Sequence, residues 1–235
     1  MTQPAQNLPE SEGNLIVLAG VPLLADSRGA LYWAEQGLLV VADLHLEKGS
    51  SFAARGQLLP PYDTATTLAR LSHLIADYAP RCLVALGDSF HDGGGPARLG
   101  DGDRESLRLM QRGREWIWIT GNHDPEPADG IGGSFTDAFI AGALTFRHLP
   151  SGATGEVSGH LHPVARISHR GRAVSRRCFA ADNTRMVMPA FGAFAGGLNV
   201  RDAAFADLFG TLAFAVHLLG NGRVYSFAAK RCLPD

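Results

Sequence analysis

Apolar positions along the chain fall into two patterns. Residues 37–42, 82–86 and 115–120 are short, nearly unbroken apolar runs, which predict strands buried on both faces. Between the first two runs, Leu68, Leu71, Leu74, Ile75 and Tyr78 recur at helical spacing. That spacing predicts a helix over 63–78, with Pro60, Pro61 and Asp63 marking its start. A second helix is predicted over 104–112, after a Gly/Asp-rich loop at 93–103. Ahead of these elements, 14–19 and 30–34 predict strands around a turn at Ser27-Arg28-Gly29. After Gly133 the pattern changes to strands over 138–147, 164–168, 176–180, 185–188, 211–218 and 224–228, with a short helix over 203–209.

Alternating strands and helices in the first half predict a largely parallel sheet flanked by helices. No repeat or long linker divides the chain. Residues 1–13 are polar and contain prolines, which predicts a loose N-terminal tail. Residues 14–235 predict one α/β domain, with two sheets packed face to face and helices outside.

Composition adds limits. The 235 residues are 46% hydrophobic and 19% charged, with 28 glycines and a net charge of -2. A global basic field is thereby excluded. Only Lys48 and Lys230 are lysines among 21 basic residues. Arginine is the better phosphate fork, although a GC-rich genome enriches it equally. Cys82, Cys178 and Cys232 are odd in number and far apart, which argues against a disulfide framework and fits a reducing compartment. Residues 1–14 have neither the charge nor the apolar core of a signal peptide. Pro189 and several glycines break the uncharged stretch 186–200, which falls short of the ~20 residues of a membrane span. A soluble, cytoplasmic protein is expected.

Chemistry concentrates at four places: Asp43-Leu44-His45, Gly87-Asp88-Ser89-Phe90-His91-Asp92, Gly121-Asn122-His123-Asp124 and Gly159-His160-Leu161-His162. The first three follow buried-strand runs, and parallel strands bring their carboxyl ends to one edge. If the segments are extended, Asp43 and His45 point one way, as do His160 and His162. Asp88 has two oxygens and can bridge two ions. Asn122 offers a carbonyl oxygen, and His148 can add an imidazole. Such a nitrogen and oxygen set favours manganese, iron(II) or zinc over softer metals. Paired metals are a device for opening phosphate esters.

The ordered set Asp-x-His, Gly-Asp, Gly-Asn-His-Asp, lone His and Gly-His-x-His resembles the calcineurin-like metallophosphoesterases. The resemblance implies a four-layer α/β/β/α sandwich and two divalent metal ions, manganese foremost. It implies that Asp43, His45, Asp88 and His162 hold one metal, while Asp88, Asn122, His148 and His160 hold the other. His123 would contact the phosphate and protonate the leaving oxygen, with Asp124 orienting it. The chain departs from the simple pattern at His91, where an acid is usual. Gly-Asp-x-Phe-His resembles the repair-nuclease branch, and gives His91 a substrate or supporting role.

The segments 42–48, 87–92, 159–163 and 188–199 are further similar to DNA-ligase-associated phosphoesterases. That likeness implies a DNA endonuclease or phosphodiesterase in bacterial repair, alongside a DNA ligase, a helicase and an exonuclease. A small-molecule or nucleotide phosphodiesterase on the same scaffold is the alternative, and a non-catalytic binding module is a third reading. Arg55 and Lys48 follow the first motif and can contact phosphate. Arg166, His169, Arg170, Arg172, Arg176 and Arg177 follow the last motif. They could track a nucleic-acid backbone or form a solvated strand face.

Overall fold

The computed structural model describes residues 15–211 and 213–235. The tail expected over 1–13 lies outside the described residues, as does Asn14. The first half contains β1 (Leu15–Leu18), β2 (Val21–Ala25), β3 (Leu31–Trp33), β4 (Leu38–Val41), α1 (Lys48–Ala54), α2 (Asp63–Tyr78), β5 (Cys82–Leu86), α3 (Gly95–Arg98), α4 (Asp101–Gln111), β6 (Glu115–Ile119) and β7 (Ser134–Thr136). The second half contains β8 (Ala138–Ala141), β9 (Leu144–Arg147), β10 (Glu156–Ser158), β11 (Pro163–His169), β12 (Arg172–Ala181), β13 (Arg185–Val187), β14 (Leu198–Asn199), α5 (Ala203–Phe209), β15 (Ala215–Leu219) and β16 (Val224–Ala228).

Sheet one runs in the order β1-β2-β3-β4-β5-β6-β7. It is parallel from β4 to β7 and antiparallel from β1 to β4. The largely parallel sheet read from the sequence is therefore its second half. Sheet two runs β14-β11-β12-β13-β10-β9-β8, with β15 and β16 branching from β12.

The buried runs face two cores, as unbroken apolarity requires. Leu38, Val40, Val84, Leu86, Ile117 and Ile119 point between the sheets, where they meet Phe146, Val157, Phe179 and Met186. Leu39, Val41, Leu83, Ala85, Trp116 and Trp118 point outward onto Leu68, Leu71 and Leu74 of α2 and Leu107 and Met110 of α4. On the far side, Phe205 and Phe209 of α5 cover Ala165, Cys178, Ala180 and Val216 of sheet two. The result is the four-layer α/β/β/α sandwich. Truncating a side chain such as Leu71, which is fully buried, to alanine would cost about 2–5 kcal/mol.

Several local readings change. The turn at Ser27-Arg28-Gly29 joins β2 to β3, and β2 itself escaped notice because Pro22 breaks its apolar signal. Residues 138–147 form a hairpin rather than one strand, because Gly142 takes a φ of 52° between two apolar stretches. The loop expected over 93–103 holds α3 and the start of α4. It is fastened by Arg98 donating to Asp92 Oδ1 at 2.7 Å and Ser50 Oγ at 3.0 Å. Helix α1, strands β7, β10 and β14, and the β11–β12 hairpin as far as His169 and Arg172 were not read in full. Among the described residues no helix is long and apolar enough to cross a membrane.

Candidate metal centre

The carboxyl ends of β4, β5 and β6 deliver Asp43, Asp88 and Asn122 to one edge. His148 follows β9, and His160 and His162 sit between β10 and β11. The backbone is not extended there. Asp43, His45, Asp88, His160 and His162 all have positive φ, between 44° and 69°. For a residue with a Cβ this costs roughly 1–2 kcal/mol, so the surroundings must hold it. His45 N donates to Asp88 O and Leu46 N to Ser89 O, both at 2.9 Å. His160 N donates to the Asp43 carboxylate at 3.1 and 3.2 Å. Left-handed residues at every second position thus replace the extended segments in keeping paired side chains on one side.

Two glycines are required by close approach. A Cβ on Gly159 would sit 2.7 Å from Asp43 Oδ2, and one on Gly121 would collide with the Asp88 backbone and carboxylate.

Besides a rim cluster of His45, His91 and His123, the ligand-type atoms form two groups. Asp43, His45 and His162 each bring one within 4.8 Å of the others, and so do Asp88, His148 and His160. In the first group, His162 Nε2 is 3.3 Å from both His45 Nε2 and Asp43 Oδ1. Asp88 lies between the groups, its Oδ2 4.0 Å from His45 Nε2 and its Oδ1 3.3 Å from His148 Nε2. Asn122 joins the second group with Oδ1 2.8 Å from His148 Nε2.

Titration state suits this arrangement. Burial, and then the charge on His162, push His45 down to about 3, so its ring is neutral at pH 7. Burial works to raise Asp88, but the His148 ring outweighs it and holds the carboxyl at about 2. Asp43 and Asp88 are buried, and burying carboxylates is costly without a counter-charge.

The donor set fits divalent cations on one further observation. His148 Nδ1 lies 2.9 Å from the Leu86 carbonyl oxygen, which can only accept, so Nδ1 carries a proton. Burial works to lower the His148 pKa, but Asp88 and Asp43 outweigh it and raise it, so without a cation Nε2 keeps a proton toward Asp88 Oδ1 and Asn122 Oδ1, a place a divalent ion would take.

His123 sits at the rim, its side chain 41% exposed. Its backbone N–H donates to Asp88 Oδ1 at 2.9 Å, and its Nε2 is 4.0 Å from Asp88 Oδ2. Asp124 does not orient this ring. Its carboxylate accepts from Ser89 N, Phe90 N and Gly121 N at 2.7–3.1 Å, and so fastens the second motif to the third. Burial pushes that carboxyl up to about 6. The His123 ring is held by His91, whose carbonyl oxygen is 2.8 Å from Nδ1 and whose ring stacks on it.

A strap over residues 190–199 braces the first group. Phe191 N donates to Ala42 O, Gly192 N to Asp43 O, and Leu198 N to His162 O. Arg177 donates to the carbonyls of Ala190 and Ala193, and Arg70 to that of Phe191. The sequence did not reveal this role for Arg70 and Arg177, because their partners are main-chain carbonyls. The glycine content of 192–197 was the available signal.

The basic residues after the last motif are engaged differently from one another. Arg177 is spent on the strap, and Arg166 donates to Pro234 O at 2.9 Å. His169 and Arg172 pair at the tip of the β11–β12 hairpin. Arg55 is exposed just beyond α1. A pocket of about 440 Å³ opens beside the second group, lined by Asn122, His148, Leu149 and Ser151.

The profile of the calcineurin-like phosphoesterase family matches residues 38–181, more than half the chain. The crystal structure of Pseudomonas putida nuclease MPE is similar, with 29% sequence identity and a TM-score of 0.71. The match covers 91% of this chain and 98% of that one. None of the curated proteins matches by sequence.

Proposed function

The chain belongs to the calcineurin-like phosphoesterases, a family of metal-dependent phosphoester hydrolases, and within it we propose a dinuclear DNA nuclease. Asp43, His45, Asp88 and His162 would hold one divalent ion, and Asp88, Asn122, His148 and His160 the other. The observation that carries this reading is the position of Asp88, with one oxygen toward each ligand group. The centre's nitrogen and oxygen donors suit manganese, iron(II) or zinc, and manganese is the ion proposed. Such ions, when bound, polarise the phosphoryl oxygen and make water a nucleophile near neutral pH.

The chain's own residues account for the rest. His123 stands where a leaving oxygen can be protonated from Nε2. Loss of that proton leaves a neutral ring in the tautomer that the His91 carbonyl already holds. Asp124 acts on this step at a distance, by fastening the loops that carry Asp88 and His123.

DNA is favoured as substrate by the similarity to the Pseudomonas putida nuclease over nearly the whole of both chains. The similarity of 188–199 to DNA-ligase-associated enzymes supports a repair role beside a ligase, a helicase and an exonuclease. A small nucleotide diester is the second reading. It is favoured by the engagement of Arg166 and Arg177 with main-chain carbonyls rather than a free surface.

The test is manganese-reconstituted protein offered single-stranded, duplex and nicked DNA beside nucleotide diesters. Internal cleavage of DNA is expected. Fast turnover of nucleotide diesters with no action on any DNA would favour the second reading, and no hydrolysis of either would remove both.

A further inference from the structure

Beside the first ligand group, aromatic rings lie close to cations that have no carboxylate partner. Lys48 opens α1 three residues after His45 and donates to Phe194 O at 3.0 Å. The same ammonium lies 5.9 Å from the centre of the Phe52 ring. The Phe52 ring is 5.6 Å from that of His91, which in turn stacks on His123 at 5.4 Å. Phe194 is 37% exposed at the tip of the strap, two residues after Gly192 is fastened to Asp43. The surface is therefore continuous with the reacting edge.

Its cations are not held in ion pairs among the described residues. Nearby Glu47 accepts from Ser50 and Thr64, and Asp92 is paired with Arg98. Among the described residues neither Lys48 nor the Arg55 guanidinium has a carboxylate partner. Arg55 follows Phe52 by three residues at the end of α1. The His91 Nδ1 is buried with no hydrogen-bond partner among the described residues.

We propose that Phe194, Lys48, Phe52, His91 and Arg55 form a nucleotide-binding shelf that holds the residue adjoining the scissile phosphate. The base stacks on Phe194, and the neighbouring phosphate meets Lys48 and Arg55. This rests on the nuclease reading, and gives it a side: the strand leaves the centre over the Asp43–His45–His162 group. An exposed ring and two half-buried ones beside cations without carboxylate partners suit a ligand that alternates planar bases with phosphates. A phosphate ester without a base would gain from the cations and nothing from Phe194.

The test measures binding of a fluorescent oligonucleotide to the full chain in chelator, with cleavage measured separately after manganese is added. Phe194→Ala should weaken binding about ten-fold, the effect of losing one stacked base, and Phe194→Trp should restore it. Lys48→Ala should lower the salt slope by about one. An oligonucleotide made entirely of abasic units should bind the wild type and Phe194→Ala equally. Unchanged binding by Phe194→Ala, or equal loss on both oligonucleotides, would overturn the shelf. Wild-type binding without cleavage would overturn the nuclease reading and leave the shelf standing. No binding by the wild type would overturn the shelf, whatever cleavage is seen.

Discussion

The Nδ1 atom of His123 lies 2.8 Å from the carbonyl oxygen of His91, two residues that lie 32 positions apart. A carbonyl cannot donate, so this bond fixes which nitrogen of His123 faces the reaction. The residue standing in place of the usual acid thus sets the tautomer of the proposed catalytic acid through its main chain.

His123→Ala should therefore lower kcat on DNA by about 10²–10⁴, the range for loss of a positioned acid. Bound metal measured by elemental analysis should stay the same. A diester with a nitrophenyl leaving group needs little protonation, so its turnover should fall much less. Equal losses on both substrates would remove the role.

Asp88→Asn should abolish metal-dependent stabilisation. At a metal concentration about 100 times Kd, binding stabilises the native wild type by about 2.7 kcal/mol. The wild-type Tm should rise with added manganese and fall with chelator. The variant should melt at one temperature in both conditions.

Gly121→Ala tests close approach rather than chemistry. The added methyl would collide with the backbone and carboxylate of Asp88. Metal content and activity should fall together, while Gly102→Ala, whose Cβ would meet nothing within 4 Å, should leave metal content as it is. Full metal content in Gly121→Ala would show that the loop can move aside.

Arg177→Met should loosen the strap. It leaves the carbonyls of Ala190 and Ala193 without this donor, at about 1–3 kcal/mol for buried acceptors. A denaturant titration should show that loss. A metal titration should show one of two sites weakened, because the strap touches the Asp43 and His162 loops. Equal weakening of both sites would contradict the bracing.

His217 contributes to the pH dependence of folding. Burial pushes its imidazole down to about 4, from about 6.5. Between these values the unfolded chain holds the proton and the folded chain does not, so stability falls as pH drops from about 6.5 towards 4. The ring keeps partial contact with water, so the loss should be about 1 kcal/mol. His217→Gln should flatten that part of a stability-against-pH curve.

The candidate ligands were legible because each lies beside a strand whose buried run announces its end. Asp43 after Leu38–Val41 and Asp88 after Cys82–Leu86 are of this kind. Their backbone conformation was not legible, since left-handed φ at Asp43 or His162 comes from hydrogen bonds to distant segments. Asp124 shows the same limit. Its place beside His123 in sequence suggested contact with the ring, whereas its carboxylate turns to the amides of Ser89 and Phe90. The arginines after His162 looked like one cluster, because the sequence does not show which guanidinium groups reach carbonyls. The turn at Gly142 was hidden by apolar residues on both sides.

The strap over 190–199 also has a consequence for biosynthesis. His45 and His162 are 117 residues apart, and the main-chain bonds bracing both loops come from residues made later still. A nascent chain ending near Val187 would already hold every proposed ligand, but not the segment that fixes the Asp43 and His162 loops. Maturation of the centre therefore waits until residues 190–199 are made. A chain stopped just before that point would hold all its proposed ligands with the first site still unframed and the outer face of sheet two still without α5.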